Sequence, residues 1–254
     1  MAENPELSRL MELFLDFGET MMAAGAEIAR VEDSLARMGV SYGAVKTNVF
    51  VITSSIELTI TFDDGASLTR TRRIRTSGGT DFVKLQKLNA LSRLCAADRL
   101  SLEELDRQLE QIRLARMSRQ KYYMGSVLAA GAFSVFFGGS MTDALVAGAF
   151  AVLICLMQEK LAGLSPNKVF FLFICSLITG VGICLVDRVI PGLQIDKIII
   201  GDIMLLIPGV AITNAVRDTL IGDTISGITK LADSLVWAAA LAAGFMIAIH
   251  MFAG

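Results

Sequence analysis

Polar and ionisable residues suited to binding or proton transfer gather in one apolar stretch near residues 198–216 and just beyond it. Asp202 stands inside that stretch, Pro208-Gly209 interrupts it, and Thr213, Asn214, Arg217 and Asp218 follow. Proline removes a backbone donor and clashes with the preceding turn, so a kink or a break is expected there. In lipid, freed backbone groups persist only where protein or a water-filled cavity satisfies them. A broken membrane helix offers amides and a positive dipole end to an anionic group, the arrangement of many transporter substrate sites. Asn214 and Asp218 are four apart and share a helix face, with Arg217 three after Asn214. A further acid, Asp223, follows in Gly222-Asp223-Thr224-Ile225-Ser226-Gly227. Pro208, Gly209, Thr213, Asn214 and Arg217 are therefore the candidate substrate-binding residues. Asp202, Asp218 and Asp223 are the candidate proton carriers, because acids within a membrane are costly unless used or paired. The plainer alternatives are an ordinary Pro-Gly kink, loop charges at Arg217 and Asp218, and an Asp202 solvated at the interface.

The helices and strands that hold these groups follow from an uneven charge distribution. The chain has 254 residues, 54% of them hydrophobic, with a net charge of -2. Residues 1–121 hold 17 Lys+Arg and 17 Asp+Glu, whereas residues 122–254 hold 6 and 8. The first part has the charge density of a soluble domain, and the second reads as membrane spans. Five apolar segments can be drawn, near 122–139, 141–157, 169–186, 198–216 and 231–253, each close to the ~20 residues that cross a bilayer. Arg113, Arg116, Arg119 and Lys121 precede the first span, Lys160 and Lys168 follow the second, and Arg217 and Lys230 follow the fourth. Only Arg188 and Lys197 oppose them, so residues 1–121 are expected on the cytoplasmic side of the cell membrane and the C-terminus outside. Tyr122 and Tyr123 suit an interfacial anchor. No basic region followed by an apolar core opens the sequence, so no cleaved signal peptide is expected.

Residues 1–121 read as a small α+β domain. Asn4-Pro5-Glu6 is a helix start, and an apolar stripe from Leu7 through Phe14, Phe17, Met21 and Ile28 predicts a helix ending at Met38-Gly39. Ile56, Leu58, Ile60 and Phe62 alternate with polar residues as a half-buried strand, with a turn at Asp64-Gly65 and flanking strands at Val49–Ile52 and about Ala66–Arg75. After Gly78-Gly79, one helix begins near Asp81, and another carries a capping box of Ser101 and Glu104. Arg70, Arg72, Arg73 and Arg75 read as a solvated edge strand. Without interleaved aromatics they give no base-stacking platform, and no nucleic-acid partner is expected. Four isolated cysteines and a single His250 complete no usual zinc site, so neither a metal nor a cofactor is expected.

Pro208-Gly209, Asn214-Ala215-Val216-Arg217-Asp218, Gly222-Asp223 and Ser226-Gly227 resemble the signature of the threonine/serine exporter (ThrE) family. Ala24-Gly25-Ala26-Glu27-Ile28-Ala29-Arg30-Val31-Glu32 is similar to that family's N-terminal helix motif. The resemblance covers nearly the whole chain and matches the short YjjP-like form, the N-terminal half of the longer exporters. It implies a polytopic α-helical membrane protein with five transmembrane helices after a small cytoplasmic α+β domain. It further implies proton-driven export of small hydrophilic metabolites, either threonine and serine or a dicarboxylate such as succinate. A small YjjB-like membrane subunit would supply the remaining spans, and the reading leaves room for a homo-oligomer.

Two other classes compete. An intramembrane aspartyl protease would pair acids such as Asp202 and Asp223. Such enzymes share a Tyr-Asp pair and a Gly-x-Gly-Asp motif, whereas this sequence has only Ile200-Gly201-Asp202 and Ile221-Gly222-Asp223, and no Tyr-Asp. A membrane scaffold or regulatory protein would need no polar residues at depth, and residues 1–121 lack a phosphate-cradling loop or nucleophile elbow. No catalytic residue is expected, and the chain is read as a non-enzyme.

Overall fold

The computed structural model describes residues 5–75, 79–115 and 117–252. They form two compact units, the first comprising Met1–Arg116 with Val210–Leu231 and the second Met117–Gly209 with Ala232–Gly254.

The first unit holds helices α1 (Pro5–Ala23) and α2 (Ile28–Ser41), strands β1 (Lys46–Ile52), β2 (Ser55–Thr61) and β3 (Ser67–Arg73), and helices α3 (Phe82–Ala97) and α4 (Leu102–Leu114). The strands form an antiparallel meander in the order β1-β2-β3. Ile56, Leu58 and Ile60 on β2 are fully buried, as their alternation predicts. They join Phe14, Phe17, Val31, Leu35, Leu88 and Leu105 from the helices in one core. Asp81 and Ser101 cap α3 and α4 by accepting from the amides of Lys84 and Glu104. The reciprocal half of the expected box is missing, because the Glu104 carboxylate turns to Arg107 and Gln108 instead. Pro5 opens α1; the expected cap at Asn4, like Gly78 and Arg116, lies outside the described residues.

Two expectations change here. The helix expected to run on to Met38-Gly39 is two helices, broken after Ala23. Gly25 sits at φ +85, where a side chain would be strained. The amide of Ala26 donates to Met21 O and that of Gly25 to Met22 O, both at 3.0 Å, which is a Schellman stop. The apolar stripe continued through the break because both helices turn the same face to one core. The second change concerns β3, an edge strand that is not merely solvated. Arg72 binds Asp16 (2.6 Å), Glu19 (2.9 Å) and Glu12 (2.5 Å), all on α1.

The second unit holds α5 (Arg119–Phe136), α6 (Met141–Lys160), α7 (Lys168–Asp187), α8 (Ile195–Ile203) and most of α10 (Thr224–Phe252). Among the described residues, α6, α7 and α10 are long and apolar enough to cross a membrane. The fourth apolar segment is not one helix: α8 has nine residues and α9 (Gly209–Leu220) twelve, with Met204–Pro208 between them. At 1.5 Å per residue α8 rises only about 13 Å against a hydrocarbon core of about 30 Å. The last helix starts seven residues before the expected 231 and runs to Phe252; Ala253 lies outside the described residues. Asp143 acts as the N-terminal acid expected of it, closing a capping box with Ser140 and accepting from the Gln194 amide at 2.9 Å. The four cysteines are free and buried.

Candidate functional site

Asp202 lies on α8 with none of its surface exposed, and neither carboxylate oxygen has a hydrogen-bond partner. The local sequence makes that burial feasible. Neighbouring Gly201 has no Cβ, and a Cβ there would meet the Ala130 carbonyl at 2.5 Å and Ser134 Cβ at 3.2 Å, so α8 presses directly on α5. The Cys175 thiol on α7 is within electrostatic reach of Asp202. Among the described residues of the second unit, the hydroxyls of Ser134 on α5 and Thr179 on α7 are also buried without a hydrogen bond of normal geometry, Thr179 lying beside the Cys175 thiol. Thr179 lies one helical turn beyond Cys175. Buried polar atoms are ordinarily hydrogen-bonded, so an acid and two hydroxyls left open on three helices are an exception that calls for a ligand, a water or a proton.

The Pro208-Gly209 break lies where the sequence places it, in the link after α8. The chain there satisfies itself by short turns: Leu205 donates to Asp202 O, Ile207 to Ile203 O, and Gly209 to Ile207 O at 2.9 Å. The amide expected to face an anion at Gly209 is thus engaged within the link.

Thr213, Asn214, Arg217 and Asp218 lie on α9 and Asp223 in the turn after it, all in the first unit. The Asn214 amide donates to Gly25 O at 3.2 Å, and Arg217 binds Glu27 at 2.9 Å. The two sequence motifs, some 190 residues apart, therefore meet inside one unit. Thr213 is on the exposed side of α9. Asp218 is fully buried and accepts from Lys230 Nζ at 2.6 Å. Gly227 allows this pairing by letting α10 approach α9; a Cβ there would meet the Ala215 carbonyl at 2.8 Å. Half-buried Asp223 lies within electrostatic reach of Glu32 on α2. Burial pushes the Glu32 carboxyl up; the Val51 amide, donating to it at 3.0 Å, works against that, and the negative charge of Asp223 adds to it.

The candidate acids therefore separate into one without a partner, one paired with lysine and one beside another acid. Sequence reasoning singled out Asp202 but not its surroundings. Ser134, Cys175 and Thr179 carry no charge and fall inside apolar runs, so only the fold could bring them to notice.

The apolar helices and the buried acid define a helical membrane protein. The family model described as "Putative threonine/serine exporter" (ThrE) matches residues 12–252, and the chain belongs to that family. No curated protein and no solved structure matches it.

Proposed function

We propose that the protein is a subunit of a proton-coupled exporter of small hydrophilic metabolites, carrying threonine and serine or a dicarboxylate such as succinate. The observation that carries the reading is Asp202, a fully buried carboxyl with both oxygens open, set among membrane helices. An acid held that way earns its place only by use, since its burial costs stability. Ser134 and Thr179 would hand the proton on through hydroxyls or water. Asp223 and Asp218 are secondary carriers in this reading, the latter limited by Lys230. Pro208, Gly209, Thr213, Asn214 and Arg217 remain the proposed substrate contacts, with Asn214 and Arg217 the strongest donors.

The proposed arrangement is five crossings, with the first unit in the cytoplasm, the C-terminus outside the cell membrane, and a small YjjB-like subunit completing the path. Two features support the orientation. Arg119, Tyr122 and Tyr123 at the start of α5 bind Gln158 and Glu159 at the end of α6. Lys168 at the start of α7 stacks on Trp237, giving that end of the bundle cations and aromatic anchors.

The direct test is efflux from preloaded cells lacking this protein and its partner. Restoring both should raise export of threonine, serine or succinate several-fold, while restoring the Asp202→Asn variant with the partner should not, although it still inserts. Equal export from all three strains would overturn the reading.

A further inference from the structure

The first unit contains a cavity of about 350 Å³ that the export chemistry at Asp202 does not use. Its wall combines the α1–α2 turn (Gly25, Ala26, Glu27), Arg30 in the first turn of α2, one face of α3 (Phe82 to Arg93) and the first turns of α9 (Val210, Asn214). The volume lies at the lower end of small-ligand pockets, enough for a metabolite of a few heavy atoms.

The wall is arranged for negative charge. Arg30 and Arg93 face it against a single carboxylate, Glu27, and Glu27 is already held by Arg217 at 2.9 Å and Arg30 at 3.6 Å. Arg93 has no ion-pair partner among the described residues, so a guanidinium is left over at the cavity edge. The beginning of α9 also contributes to the wall, bringing a positive helix end to the same space. Asn214, Asn89, Gln86 and Thr80 add neutral polar groups for a second function on the ligand, while Phe82, Leu85 and Val210 are the larger apolar side chains of the lining.

We propose that this cavity binds the carboxylate of a small metabolite, with Arg93 as its principal cation and Asn214 reading a second polar group. The inference deepens the export reading by giving the cargo a first holding place, and it assigns to the Ala24–Glu32 motif a role in binding. Ligand seated there would contact α2, α3 and α9 together, and so report occupancy to the helix that follows the Pro208-Gly209 break.

The test is calorimetric titration of the purified full chain with L-serine, L-threonine and succinate, and with serinol, which replaces the carboxylate of serine by a hydroxymethyl group. At least one carboxylate should bind and serinol should not; which one binds distinguishes amino-acid from dicarboxylate cargo. Arg93→Ala should weaken binding at least tenfold without lowering the unfolding temperature, because the side chain is exposed, and Arg93→Lys should recover part of it. Asp202→Asn should bind as the parent does, so loss of export with binding retained separates this assignment from the coupling role of Asp202. Failure of all three carboxylates to bind, or equal binding by Arg93→Ala, would overturn it.

Discussion

Asp202, Asp218 and Asp223 are the same residue type in three surroundings, and the surroundings decide what each can do. Asp218 with Lys230 is a buried pair whose members depend on each other. Lys230→Met should leave an uncompensated buried carboxylate and lower stability by about 3 kcal/mol, read by thermal unfolding; a variant as stable as the parent would contradict the pairing. Glu32 opposite Asp223 carries a pH dependence with a definite sign. The folded chain holds the Glu32 proton more tightly than the unfolded chain does. Stability should therefore fall as pH rises from the ordinary value of 4.5 through the raised one, and level off above it. Glu32→Gln keeps an acceptor for the Val51 amide and should flatten that slope, as unfolding temperatures between about pH 4 and 8 would show. An unchanged slope would place the titrating group elsewhere.

Among the elements, what was legible in the sequence was whatever repeats. The β2 alternation, the helix start near Asp81, the cap at Ser101, and three of the five expected apolar spans as long helices follow from periodicity and local chemistry, and the structure has them. The stop at Gly25 was hidden because the stripe of buried residues runs through it unbroken. Gly25→Ala would force a Cβ into positive φ and to 3.1 Å from the Thr80 Cα. It should cost about 1 kcal/mol or more, seen as a lower unfolding temperature. The surroundings of Asp202 were illegible for a different reason. Serine, threonine and cysteine inside an apolar run carry no signal until tertiary packing selects the faces that meet. The contacts of Asn214 and Arg217 with Gly25 and Glu27 were hidden as well, because they depend on long-range packing that spacing cannot encode.

For the whole molecule, the chain passes between its two compact units more than once. Residues 210–231 lie between apolar segments in sequence yet pack with the charged N-terminal residues in the first unit. That grouping agrees with the proposed topology, in which the turn after α9 lies on the same side as the N-terminal domain. A membrane-impermeant maleimide should label Val189→Cys in intact cells and Ser165→Cys only after permeabilisation; the reverse pattern would invert the chain.

The most direct test of the coupling claim is flux in proteoliposomes that contain the chain with its partner under an imposed pH gradient. The parent should move threonine, serine or succinate against the proton flow, at least tenfold faster than Asp202→Asn, and lose that flux when a protonophore collapses the gradient. Flux that ignores the gradient, or that Asp202→Asn sustains at the parental rate, would contradict the account.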